Sequence, residues 1–123
     1  MTKIVYNGCF GGFSLSDAGV RRYLELKGIP FTEVEYKELA YSRVRFRIAD
    51  LEDGSPDYFS RYDIEDRADP ILVQVVEELR EEADGDCANL LIRELDRGTR
   101  YRIQEYDGSE WVETEYDIEW QVA

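Results

Sequence analysis

Between Tyr6 and Gly19 the chain reads YNGCFGGFSLSDAG, with four glycines, a cysteine and two serines between a short apolar stretch and a helix start. Gly8, Gly11 and Gly12 would let backbone amides approach an anion closely. Ser14, Ser16 and the following helix N-terminus would add donors, and Arg21 and Arg22 would add charge. A phosphate or nucleotide is the ligand class that such a loop takes. The pattern has neither the lysine and spacing of a Walker A loop nor the order of a dinucleotide fingerprint. A second reading therefore competes: a strand-to-helix connection in which Phe10 or Phe13 plugs the core.

Other catalytic chemistry is limited by one absence. The 123 residues include no histidine, so the commonest general base and every Ser-His or Cys-His pair are missing. Cys9 precedes a helix N-terminus that could lower its pKa, but no partner for it is legible. Cys9 and Cys87 are expected as reduced, buried thiols. A carboxylate pair of the glycosidase kind is open among 28 acidic residues, yet its spacing is spatial and leaves no mark in sequence. Asp50, Glu52, Asp53 and Asp57 have the density of a calcium loop without its residue order or terminal glutamate. No catalytic set, cofactor or metal is assigned.

Charge is the strongest compositional fact, a formal net −13. Direct nucleic-acid binding is disfavoured, because it depends on cations replacing the counterions of phosphates. Three lysines against twelve arginines, with so many acids, also fit adaptation to salt. From Val112 to Val122 the even positions are apolar or threonine, which would place Glu113, Glu115, Asp117 and Glu119 in an acidic row on the opposite face of a strand. Side chains two apart on a strand lie about 6.6 Å from one another, close to the phosphate repeat of DNA. With Asp50, Glu52, Asp53 and Asp57, such a row could mimic DNA in the basic channel of a partner. The competing reading is that Arg43, Arg45 and Arg47 lie across the sheet and neutralise it.

The elements that would position these groups follow from periodicity and caps. KIVYN reads as a strand, and Ser16 caps a helix Asp17–Lys27, with Leu15 and Val20 as a hydrophobic staple and Gly28 and Pro30 as the stop. Residues 31–38 and 42–49 read as extended, the second alternating Val44, Phe46 and Ile48 with arginines. Residues 50–69 read as a long acidic loop, with room for one helical turn. Asp69 and Pro70 start a helix to about Ala83. ANLLIREL, RYRIQEY and a final run to Val122 are extended, with a tight turn at Asp107-Gly108. The expected fold is a single α+β domain over residues 1–123, a mainly antiparallel sheet against two helices. No leader or membrane-spanning run is read, so an intracellular, soluble protein is expected.

The segments KIVYNGCFGGFSLSDAGVRRYLELKG, DPILVQVVEELREEADGDCANLLIREL and EYDGSEWVETE resemble a family of small proteins of bacteriophage and prophage genomes. Its members have an N-terminal GGF-S-LS loop and a C-terminal EYDG-E-W hairpin. The resemblance implies an accessory protein acting in the host cytoplasm, and it transfers no activity to individual residues. The expectation is a non-enzymatic inhibitor of a host defence protein, a nuclease or CRISPR effector that itself binds nucleic acid. The alternative is a sponge for a small anionic ligand at the glycine loop. Contact with a membrane is not expected, and assembly as a homodimer is left open.

Overall fold

The computed structural model describes the backbone of residues 1–38 and 41–123, with side chains described outside 36–43. Strand β1 (Thr2–Asn7) leads through the glycine loop into helix α1 (Asp17–Lys27). The Ser16 hydroxyl accepts the Gly19 amide at 3.0 Å, and Leu15 and Val20 are fully buried on either side of the cap. The helix therefore starts where cap and staple together favour it. Gly28 closes it in the left-handed conformation.

Strands β2 (Thr32–Glu38) and β3 (Tyr41–Asp50) pair antiparallel. Phe46 is buried and Val44 and Ile48 are half-buried, while Arg45 and Arg47 are exposed, as the alternation predicts. The segment expected to be a long loop, with room for one helical turn, contains a third strand of this sheet, β4 (Pro56–Tyr58), which pairs with the end of β3. Asp53 accepts the Ser55 amide and Gly54 bends the chain with φ 85°, so a tight reversal returns it along β3. Proline at an edge strand hides the period that would have marked it. Residues 61–62 and 67–68 form turns rather than a helix.

Helix α2 (Pro70–Leu79) is capped by Asp69, whose carboxylate accepts the Ile71 amide at 2.9 Å. A 3-10 turn continues it over Arg80–Ala83. Strands β5 (Leu90–Leu95), β6 (Tyr101–Tyr106) and β7 (Ser109–Thr114) complete an α+β fold with all pairings antiparallel. The strands form three small sheets, β1 with β5, β3 between β2 and β4, and β6 with β7. Ile4 and Val5, neighbours on β1, are both fully buried on opposite faces. Val5 joins the main core with Leu24, Phe46, Leu72 and Val75, whereas Ile4 packs with Leu95 and Val112. The β1–β5 ribbon is thus a middle layer, with helices on one side and the β6–β7 hairpin on the other. Among the described residues no helix is long and apolar enough to cross a membrane.

The last expected strand ends early. β7 stops at Thr114, opposite Tyr101, where β6 begins, and among the described residues no further strand pairs with it. Asp117 accepts the Thr114 amide at 2.9 Å and returns its own amide to the Thr114 carbonyl, closing a turn. Tyr116, Trp120 and Val122 are 80%, 82% and 95% exposed, so the even-numbered face beyond Thr114 is not core.

Lys27 at the end of α1 lies 2.5 Å from the nearly buried Asp69, and the Tyr23 hydroxyl donates to the same carboxylate. Burial opposes the Asp69 charge, but the Lys27, Ile71 and Tyr23 donors outweigh it and hold the carboxyl below the ordinary aspartate value. A depressed carboxyl contributes stability above the unfolded-state value, and loses it as pH falls through the native one. Asp69→Asn, which keeps a cap acceptor, should therefore flatten the loss of stability on the acid side of pH 4, read as urea midpoints. A parallel loss in both proteins would contradict the pairing. Ser16→Ala should cost about 1 kcal/mol.

Candidate functional site

The fate of the glycine loop is decided by Asn7, the fully buried last residue of β1. Its side-chain nitrogen donates to the carbonyls of Cys9 at 2.7 Å and Gly108 at 2.9 Å. Its side-chain oxygen accepts the amides of Asn89 at 2.8 Å and Cys9 at 3.3 Å. One amide side chain thus holds the loop, the entry to β5 and the β6–β7 turn together. The Asn7 backbone amide donates to Glu110, which forms a two-pronged pair with Arg67 at 2.7 and 3.0 Å. Both partners of that pair are nearly buried, and the Arg67 guanidinium lies 3.7 Å from the centre of the Phe13 ring.

Around this hub the chain segments touch backbone to backbone. A Cβ on Gly11 would fall 2.5 Å from the Cys87 Cβ; one on Gly108, at φ 87°, would fall 2.4 Å from the Gly12 nitrogen. Glycine is required at Gly11 and Gly108 by close approach, and the nitrogens of Gly11 and Gly12 abut the hairpin turn, while the position of a Gly12 Cβ is open. Gly8 donates its amide to Asn89, Ser14 is buried against Gly85, and the Ser16 hydroxyl serves Gly19 and Glu82. Arg21 pairs with Glu33, and Arg22 with Glu78 and Glu25. Phe13 is the buried phenylalanine and Phe10 is exposed. Cys9 and Cys87 are free thiols, exposed rather than buried, because both lie in the surface loops that meet here.

The acidic row has a different form from the one expected. Glu113 pairs with Arg102 directly across the β6–β7 ladder at 2.5 Å, Glu115 with Arg100 at 2.9 Å, and Asp117 with Arg93 at 3.3 Å. The Thr114 amide, with Arg93 in support, holds the Asp117 carboxyl below its usual range. Glu119 lies beyond the strand in the exposed C-terminal segment. The neutralising arginines come from β5 and β6 and the turn between them. Those on β3 belong to another sheet: Arg47 pairs with Asp50, Arg45 lies over the Tyr58 ring, and the Arg43 side chain is outside the described residues.

The second acidic group is distributed along the β3–β4 hairpin and the segment after it. Asp53 and Asp63 accept from serines, and Asp66 accepts the Ala68 amide. Among the described residues, no cation pairs with Glu52, Asp53, Asp57, Asp63, Glu65 or Asp66. The sequence singles out Glu52, Asp53 and Asp57 and takes in Asp63, Glu65 and Asp66 only collectively, with the loop acids from Asp50 to Asp69. Among the described residues no three Asp, Glu or Cys side chains converge as a metal site.

Beside this hairpin a cleft of about 790 Å3 opens, bounded by β3 and β4 and by the start of α1 with the turn after α2. Arg61 forms part of its lining, donating to the carbonyls of Val44 and Leu15 and pairing with Asp17 at 2.7 Å. Nothing in the sequence marked this cleft, because it forms between four separate segments spread from Ser16 to Asp86.

No family model, curated protein or solved structure matches the chain.

Asn7→Ala would leave two carbonyls and two amides short of partners in a part-buried joint, so it should cost about 2–4 kcal/mol. Urea unfolding measures this; a loss below about 0.5 kcal/mol would show that the joint does not depend on Asn7.

Proposed function

We propose that the chain is a non-enzymatic binding protein that docks, through the acidic surface of the β3–β4 hairpin and the segment to Asp66, on the basic surface of a partner and blocks it. The observation that carries this reading is the division of the carboxylates. Those near the end of β7 are matched by arginines, while six between Glu52 and Asp66 have no cationic partner among the described residues. Like charges concentrated on one stretch cost folding energy by repulsion, and a basic partner relieves that cost. A basic channel that binds nucleic acid is the complementary surface, so the acidic segment acts as a mimic of the phosphate backbone. In the phage setting that the sequence resemblance implies, the partner is a host nuclease or CRISPR effector met in the host cytoplasm. The alternative, capture of a small anion by the glycine loop, finds less support, since the Gly8 and Cys9 amides and Arg21 and Arg22 are engaged within the chain and the Gly11 and Gly12 nitrogens lie against the Gly108 turn.

Inhibition of DNA cleavage by such an effector should weaken as salt rises from 50 to 300 mM, because screening acts over about 10 Å at 0.1 M. Combining Glu52→Gln, Asp57→Asn and Glu65→Gln should weaken inhibition about tenfold, at roughly 0.5 kcal/mol for each exposed charge. Glu113→Gln with Glu115→Gln should change it less. Inhibition indifferent to salt and to all five substitutions would refute docking by the acidic surface.

A further inference from the structure

The cleft beside the acidic hairpin is large enough for a side chain or small ligand. From β4 and the segment after it come Tyr58, Phe59 and Tyr62, and from the helix side come Asp17, Asp84 and Asp86. An anion is poorly served here. The Arg61 guanidinium is committed to two carbonyls and Asp17, and Arg45 is engaged over Tyr58 at 5.4 Å. A cation is better served. One oxygen of Asp84 accepts the Leu90 amide at 2.9 Å, and the other has no partner among the described residues. Tyr62 lines the cleft and is 56% exposed. The chain itself seats guanidinium groups over rings at Tyr58, Phe46 and Phe13. A planar cation gains most from a ring face combined with a carboxylate edge.

We infer that this cleft receives an arginine side chain of the partner, its guanidinium against the Tyr62 ring and paired with the open oxygen of Asp84. The inference rests on the reading of the partner as basic, and adds to it the group that anchors the complex. Arginine is favoured over lysine because its flat, weakly hydrated head can meet ring and carboxylate together.

The test is a titration of 15N-labelled protein with acetyl-Gly-Arg-Gly-amide and with its neutral citrulline counterpart, followed by amide shifts. Saturable shifts are expected at Tyr62, Asp84, Gly85 and Asp86, with citrulline binding at least tenfold weaker. Asp84→Asn, which keeps the acceptor for Leu90, and the exposed Tyr62→Ala should each weaken the arginine peptide at least fivefold. Shifts spread along residues 52–66 and unchanged in both variants would overturn the cleft assignment while leaving docking by the acidic surface intact. Absence of saturable shifts at millimolar peptide would overturn it as well. Saturable cleft binding together with salt-indifferent inhibition would support the cleft and remove the acidic-surface reading.

Discussion

The structure depends on one buried polar joint, in which the Asn7 side chain makes four hydrogen bonds and the Asn7 amide leads into the Glu110–Arg67 pair. Buried polar groups are stable only when every donor and acceptor is matched, so the joint fixes one relative placement of its strands. It ties the glycine loop, the entry to β5 and the β6–β7 turn into a unit. Arg67 extends that unit to Phe13 in the main core and, through its carbonyl, to the Val5 amide. Removing one member of a buried charged pair leaves the other uncompensated, a cost of about 3–5 kcal/mol. The hairpin thereby stays seated on the middle layer even though its apolar contact, chiefly Ile4, Leu95 and Val112, is small.

The same joint limits where function can lie. It closes the glycine loop against Gly108 and Cys87, and arginines of β5, β6 and the turn between them neutralise Glu113, Glu115 and Asp117. On the other sheet the β3–β4 hairpin, the acidic segment and the cleft are neighbours. Scaffold and proposed docking surface are separated in this way: Glu113, Glu115 and Asp117 are matched by arginines, whereas six carboxylates between Glu52 and Asp66 have no cationic partner among the described residues.

Much of this was legible in the sequence where the signal is local. Ser16, Asp69 and Gly28 mark helix ends through their own backbone bonds, and Asp107-Gly108 marks a two-residue turn with φ of 50° and 87°. The alternation through Val44, Phe46 and Ile48 marks a half-buried strand. The alternation after Thr114 misled for a physical reason, since period alone does not supply a pairing partner, and β6 offers none beyond Tyr101. β4 is three residues long and begins with proline, too short to show a period. Asn7, Arg67 and Arg61 carried no sequence signal, because Gly108, Glu110 and Asp17, which they respectively engage, lie forty or more residues away.

The central claim, that the glycine loop is a locked joint and not a ligand cradle, is tested most directly by native-state hydrogen exchange of the Asn7, Cys9 and Asn89 amides. All three donate to side-chain acceptors of the joint. The account predicts that they exchange only through global unfolding, with protection matching the stability from urea. Exchange of Cys9 and Asn89 at the rate of open loop amides, with Val5 still fully protected, would contradict it and return the loop to a ligand.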